Sequence, residues 1–195
     1  MAALRALGRA HLRRPPEAVA PDLLNLLLVR GDRAGRIVEV EAYGGERDPA
    51  SHAFRGPTPR AAIMFGEVGR LYVYRSYGIH WCANVVAHGG EGAGAVLIRA
   101  VEPVAGVAAM RAARPTARRE VDLANGPGKL CAALAITGDD LGADLLGPAG
   151  GVRLVDDGVP PPSDPVVGPR IGISVAKDLP WRFSVPGSPH RSRPW

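Results

Sequence analysis

Residues 36–43 read Arg-Ile-Val-Glu-Val-Glu-Ala-Tyr, and the fold turns on how that stretch is taken. The β-branched Ile37, Val38 and Val40 favour a strand, and Gly35 supplies a turn just before it. Side chains alternate faces along a strand. Val38, Val40 and Ala42 therefore share an apolar face, and Glu39, Glu41 and Tyr43 share the opposite one. Two carboxylates and a ring stand together, and His52 follows nine residues after Tyr43, within Asp-Pro-Ala-Ser-His. Acid, ring and imidazole so placed suit a site that works on a flat, aromatic substrate. An edge strand with a solvated polar face carries the same pattern, so both readings stand at this point.

Working outward, 17–24 reads as a short helix, 26–30 as a buried strand, and 31–35 as the hairpin loop that feeds 36–43. Downstream, 44–62 is irregular loop and carries His52. Residues 71–74 alternate again, with Tyr72 and Tyr74 on one face and Leu71 and Val73 on the other. The turn 75–78 leads into a returning strand, 79–87. On it His80, Cys82 and Asn84 face one way, and Ile79, Trp81, Ala83 and Val85 the other. Tyr77 stands near the hairpin tip, where small polar residues are usual. Its ring is exposed unless it folds back on the core. The glycine-rich 88–94 lacks the Gly-x-x-x-x-Gly-Lys-Ser/Thr form of a nucleotide phosphate loop.

Residues 95–101 form a strand containing Arg99, and 107–113 a helix. Asn125-Gly126-Pro127-Gly128-Lys129 precedes an apolar helix, 130–136. Exposed backbone N–H groups and the Lys129 cation suit a phosphate, although an ordinary helix start looks the same. Residues 138–169 are loop-rich, with strands at 152–155, 170–175 and 181–185. The basic arm 1–16 and the tail 187–195 are expected to be flexible.

At 195 residues with 46% hydrophobic content, the chain is one domain with a real core. Its longest apolar run, 23–29, is interrupted by Asn25 and is far short of a membrane span. Arginines 5, 9, 13 and 14 break up any signal peptide. Two cysteines are too few for a disulfide scaffold or a zinc site. The expectation is a cytoplasmic protein with no cofactor, no metal and no membrane partner. A net charge of +5 and a pI near 9.8 favour an anionic partner, nucleic acid foremost. Only Lys129 and Lys177 are lysines, so 22 of the 24 basic residues are arginines. With Gly and Pro also abundant, part of that arginine content reflects a GC-rich coding sequence.

From about residue 23 to 189 the chain resembles the alkyladenine (3-methyladenine) DNA glycosylase family, the mammalian-type fold, in a bacterial form. The residues that carry the resemblance are the 36–43 stretch, Asp48–His52, Met64-Phe65, Leu-Tyr-Val-Tyr-Arg-Ser-Tyr-Gly-Ile-His-Trp-Cys-Ala-Asn at 71–84, Val-Leu-Ile-Arg-Ala-Val-Glu-Pro at 96–103, Gly-Pro-Gly-Lys-Leu-Cys at 126–131 and Arg-Ile-Gly-Ile at 170–173. Their order and spacing agree together. The resemblance implies a single α+β domain with a curved, mostly antiparallel sheet, surrounding helices and the 71–87 hairpin protruding into the minor groove. It implies Glu41 as general base and Arg99 near Glu41 and the attacking water. Tyr43, His52 and Tyr74 would line and stack on a flipped base. Tyr77 would intercalate in the gap that base leaves, and Asn84 would help select purines. The implied partner is double-stranded DNA containing damaged purines, bound by a monomer on the bacterial nucleoid. Two departures stand out. Ala61 follows Arg60 where family members often have asparagine, and His80 stands where some relatives have tyrosine.

The chemistry suits these residues. Cutting an N-glycosidic bond passes through a sugar of oxocarbenium character, which a carboxylate near C1′ stabilises while it activates water. Extruding the base costs a few kcal/mol, least for damaged pairs. Alkylated purines are cationic and attracted to aromatic faces. A neutral substrate such as hypoxanthine needs its leaving base protonated as well. Two rivals remain at this stage. Glu39 and Glu41, with Cα atoms about 6.6–6.8 Å apart by strand rise, also fit a glycoside hydrolase. Stacking tyrosines also fit a non-catalytic nucleic-acid-binding module, which would not need Glu41 buried beside His52.

Overall fold

A computed structural model describes residues 7–90, 92–148 and 151–192 as one α+β domain. Its core is a mostly antiparallel sheet. The main path places β3 (Leu71–Ser76), β4 (His80–Val86), β5 (Ala95–Ala105), β2 (Arg33–Tyr43), β1 (Leu27–Arg30) and β6 (Val152–Val155) side by side in that order. Two short strands, β7 (Val166–Gly168) and β8 (Arg182–Ser184), attach beside β2 through β8. The stretch that opened the sequence reading is therefore the centre of the sheet and not its edge. Along one side β2 pairs with β1 and then β8, and along the other it pairs with β5 for its full length.

The helices are few and short. α1 (Pro16–Val19) runs into a 3-10 turn at Ala20–Leu23, which replaces the single helix expected over 17–24. Pro21 explains the break, because it cannot donate the hydrogen bond that would continue an α-helix. α2 (Val107–Ala113) falls where the sequence pattern put it. α3 (Pro127–Leu134) starts earlier than expected, with Pro127 at its first turn and Ala135 closing it in the left-handed conformation. Its apolar positions Leu130, Cys131, Ala133 and Leu134 are buried against the sheet.

Four further features differ from what the sequence pattern predicts. The hairpin between β1 and β2 is a two-residue turn at Gly31-Asp32, since Arg30 already pairs with Arg33. Gly35 lies within β2, where a Cβ would sit 2.4 Å from Val101 Cγ2; it permits close strand packing and makes no turn. Val38 leaves the apolar face. Ile37, Val40 and Ala42 join the main core, because one extra residue between the Ile37↔Val101 and Glu39↔Ala100 pairs makes a bulge at Val38. The stretch 170–175 is an irregular loop with Gly172 at φ +79°, not a strand.

The alternation predicted for the 71–86 hairpin holds. Leu71, Val73, Ala83 and Val85 enter the main core, while Tyr72 pairs across to Asn84 and Tyr74 to Cys82 on the other face. A second, smaller cluster around Met64, Tyr72, Val86 and Ala95 backs that face. Both chain ends, expected to be flexible, pack where they are described. Leu12 is fully buried, and Arg9 donates to Asp144 Oδ2 at 2.7 Å. His190 is buried, and Ser192 is bonded to the sheet. Residues 1–6 and 193–195 lie outside the described residues. No helix among the described residues is long and apolar enough to cross a membrane.

Candidate active site

The centre of β2 carries the chemistry. Glu41 is fully buried, and each of its oxygens is held. Oε2 accepts hydrogen bonds from the Tyr43 phenol at 2.9 Å and from Arg99 Nη1 at 3.2 Å. Oε1 accepts from the Ile171 N–H at 2.7 Å. Burial pushes the Glu41 carboxyl above the ordinary carboxylate range, against the pull of the Arg99 cation, the Ile171 N–H and the Tyr43 hydroxyl.

Glu39 is also fully buried, which removes the reading of a solvated edge. Its Oε1 accepts from Arg182 Nη1 at 3.2 Å and its Oε2 from the Ser192 N–H at 2.5 Å. Arg99 stands between the two acids, with Nε 3.6 Å from Glu39 Oε1. A second bulge puts it there. The pairs Glu39↔Ala100 and Val40↔Ile98 leave Arg99 as the unmatched residue of β5, and such insertions re-aim side chains next to sites. The glycoside-hydrolase reading weakens on this geometry, because Glu39 is committed to two arginines and an N–H, and its hydrogen-bond donors Arg182 and Ser192 do not line the cavity above Glu41.

Above this floor opens a cavity of about 730 Å³ lined by Tyr43, His52, Tyr72, Tyr74, Asn84 and Arg99 among others. Glu41 lies just beneath the lining, and its three donors, Tyr43, Arg99 and Ile171, all belong to it. Tyr74 and His52 meet edge to face with ring centroids 4.6 Å apart. His52 Nδ1 lies 2.9 Å from the Tyr72 hydroxyl. One side of the imidazole faces the open cavity and the other is packed. Loss of water on the packed side, then the Arg60 cation, lowers its pKa to about 4, so the ring is neutral near pH 7. Burial raises the Tyr43 and Tyr74 phenols, which remain protonated donors. Asn84 donates through Nδ2 to the carbonyls of Tyr72 at 3.0 Å and Cys82 at 3.4 Å, which leaves its amide oxygen as its remaining polar atom.

Sequence reasoning did not single out the pair that supports this arrangement. Asp48 and Arg170 are each buried; Arg170 Nη2 donates to Asp48 Oδ1 at 2.9 Å and Nη1 to the Ala42 carbonyl at 2.9 Å. The same guanidinium lies 4.7 Å from the centroid of the Tyr43 ring. Asp48 in turn accepts from the Gly44 and Ala50 N–H groups. One ion pair thus fixes the 44–50 loop, the back of Tyr43 and the segment that presents the Ile171 N–H. Tyr72, Arg182 and Ser192 were likewise given no site role. The Tyr72–Tyr74 alternation was the available signal for Tyr72.

The hairpin tip is different in kind. Tyr77 is 90% exposed with φ +50°, a conformation that is uncommon for a residue with a side chain, so the ring does not fold back on the core. Ile79 beside it is 68% exposed. Lys129, in the first turn of α3, is exposed and donates from Nζ to Asn125 Oδ1 at 2.7 Å. Gly128 packs α3 against the tip end of the hairpin, where a Cβ would sit 2.7 Å from His80 Cβ. Of the two family departures, Ala61 is buried in the smaller cluster and His80 is exposed on that flank. No group of three His, Cys, Asp or Glu side chains that could hold a metal ion occurs among the described residues.

Comparison with known proteins agrees with the resemblance. A family model described as methylpurine-DNA glycosylase matches residues 10–189. A protein of Burkholderia cenocepacia named "Putative 3-methyladenine DNA glycosylase" is 56% identical over 182 residues, covering 92% of this chain and 87% of its own length. Proteins with the same name from Frankia casuarinae and Nitrosospira multiformis are 51% and 49% identical, covering 93% and 91% of this chain and 89% of each relative.

Proposed function

The chain belongs to the methylpurine-DNA glycosylase family, and from that premise we propose that it draws a damaged purine out of duplex DNA and hydrolyses its N-glycosidic bond with a water activated by Glu41. As a member of that family it is a DNA-repair glycosylase. The observation that carries the mechanism is a fully buried carboxylate, charge-matched by Arg99, directly behind an aromatic cavity.

The residues divide the work. A base extruded from the stack enters between Tyr43 on one side and Tyr74 with His52 on the other. Arg170 backs one face of the Tyr43 ring and leaves the opposite face for the base. A cationic alkylated purine gains about 0.5–2 kcal/mol from such aromatic faces. The neutral His52 adds no repelling charge. Asn84 offers an acceptor to the base edge. As the glycosidic bond lengthens, Glu41 opposes the growing positive charge at C1′ and takes a proton from the attacking water. Its raised pKa makes it a stronger base than an exposed carboxylate. The electron pair of the breaking bond leaves with the base, which an alkylated purine accepts as it becomes neutral. Tyr43 donates its hydroxyl to Glu41 Oε2, and the attacking water competes with that bond for the carboxylate. Tyr77 fills the vacated stack, as apolar wedges do in minor-groove binders.

The product is an intact abasic site. Backbone cleavage by a glycosylase requires an amine that forms a Schiff base. Besides the α-amino group, which lies outside the described residues, the chain has two lysines, and neither Lys129 nor Lys177 lines the cavity. Every group named belongs to one chain, so a monomer suffices. The test is release of free base from duplexes carrying 3-methyladenine, 7-methylguanine, 1,N6-ethenoadenine or hypoxanthine. Release from at least one is expected, and release from none contradicts the reading.

A further inference from the structure

The family match ends at residue 189, yet two of the contacts that hold the acidic floor come from beyond it. Ser192 donates its backbone N–H to Glu39 Oε2 at 2.5 Å, and its Oγ accepts from Arg99 Nε at 3.2 Å. One residue thereby engages both neighbours of Glu41. The approach is fixed by a compact turn. The His190 N–H donates to Ser188 Oγ, Arg191 Nε donates to the Ser188 carbonyl, and His190 is buried 3.9 Å from Glu102 on β5.

We propose that segment 187–192 is a strap that aims Arg99, with Ser192 a positioning residue for the reaction attributed above to Glu41. Arg99 is a bulge residue and is not gripped by regular pairing on β5. Its guanidinium needs acceptors on more than one edge to stay in a single pose. Glu41 takes Nη1 and Ser192 takes Nε, while Glu39 balances the charge from 3.6 Å. Without the serine hydroxyl, Nε has only the longer approach to Glu39. The guanidinium then turns toward Glu39, and Glu41 loses its counter-charge. The inference rests on the proposed catalytic role of Glu41.

The charged and titratable groups facing Glu41 are Glu39 and Tyr43 from its own strand, Arg99 from β5, Arg182 from β8 and Arg170 from the 169–176 loop. Weakening the Arg99 contact removes the largest attraction that opposes burial of the Glu41 charge. The acid limb of the excision rate should then move to higher pH.

The experiment compares the full chain, Ser192→Ala, Ser192→Thr and a chain ending at Pro189. Single-turnover base release is read across pH, together with binding to a duplex carrying an abasic-site analogue and the 15N NMR signal of the Arg99 Nε–H. Small misplacements of a reacting group cost up to about 100-fold. Ser192→Ala should therefore slow release by roughly 10-fold or more, and the shortened chain by more, with analogue binding within about twofold and the acid limb shifted up. Ser192→Thr, which keeps the hydroxyl, should restore the rate and the Arg99 signal. Unchanged rate, acid limb and Arg99 signal in both Ser192→Ala and the shortened chain would overturn the strap. If the shortened chain does not fold, Ser192→Ala against Ser192→Thr decides alone. If the unmodified chain releases no base while the Arg99 signal still depends on Ser192, the catalytic reading fails and the coupling of the strap to Arg99 stands.

Discussion

The floor of the cavity and the tip of the 71–86 hairpin are opposites. At the floor, Glu39, Glu41, Asp48, Arg99, Arg170 and Arg182 are all buried, and each has charged partners within hydrogen-bonding reach. At the tip, Tyr77 and Ile79 stand in solvent on a strained backbone, held by the turn bond from the Ile79 N–H to the Ser76 carbonyl. Buried ion pairs fix geometry while contributing little net stability, because desolvation offsets their attraction. Exposed apolar side chains cost little until a partner covers them. The floor is thus completed by folding, whereas the tip, on the proposed reading, is completed only when DNA covers it. A group that must hold a carboxylate at a reacting carbon has to be rigid beforehand. A wedge that enters a base stack must be accessible beforehand.

That contrast can be broken by mutation. Arg170→Met leaves Asp48 buried without its cation and should destabilise the fold by about 3–5 kcal/mol, measured by urea denaturation. Tyr77→Ala should change stability by no more than about 0.5 kcal/mol in the same experiment. Comparable losses at both positions would erase the distinction between them. In binding, Tyr77→Ala should lower affinity for an abasic-site analogue by roughly 1–3 kcal/mol, and for undamaged duplex by less. Equal losses on the two duplexes would mean that Tyr77 contacts DNA without filling the gap.

The pH dependence of stability sharpens the contrast. Glu41 titrates higher in the folded chain than when unfolded, so the native state holds its proton more tightly. Its contribution to stability is present below the ordinary value of 4.5 and is lost as pH rises through the folded pKa. His52 acts with the opposite sign: its folded pKa of about 4 lies below 6.5, so its contribution is present above 6.5 and lost as pH falls toward 4. The difference in urea midpoint between the unmodified chain and Glu41→Gln, followed from pH 4 to 7, isolates the acid. Glu41→Gln should gain on the unmodified chain as pH rises. The smallest effect is expected at Lys129, outside both regions. Lys129→Ala should lower the salt slope of non-specific DNA binding by about one unit, and a flat salt dependence of the unmodified chain would mark its arginine content as coding bias.

The sequence made some of this legible and hid the rest for physical reasons. Period-two alternation revealed β2 and the hairpin, and it sorted Tyr72, Tyr74, Cys82 and Asn84 onto one face correctly. It failed at Val38, and it could not foresee the aim of Arg99, because a bulge inserts one residue without a local signature. Composition left open whether Glu39 and Glu41 were solvated. The answer lay in arginines 58 and 143 positions away along the chain from the acids they meet, Arg99 at Glu41 and Arg182 at Glu39. The Asp48–Arg170 pair spans 122 positions between two irregular loops, where no periodicity exists to betray it. The tail read as flexible because it lies at a terminus, yet the Ser192 N–H found an acceptor on the sheet in Glu39. The family resemblance supplied the roles proposed for Glu41, Tyr43, His52, Tyr74, Tyr77, Asn84 and Arg99, which spacing alone could not.

The central claim is that the buried floor performs the chemistry and the exposed tip engages DNA, and it is tested most directly at Glu41. Single-turnover release of free base from a lesion-bearing duplex should be measured for the unmodified chain and for Glu41→Gln, beside the affinity of each for the same duplex. Loss of a general base costs on the order of 10²–10⁴ in rate. Glu41→Gln should lose excision by that order and bind the duplex as tightly as before. Excision by Glu41→Gln at the rate of the unmodified chain would contradict the account.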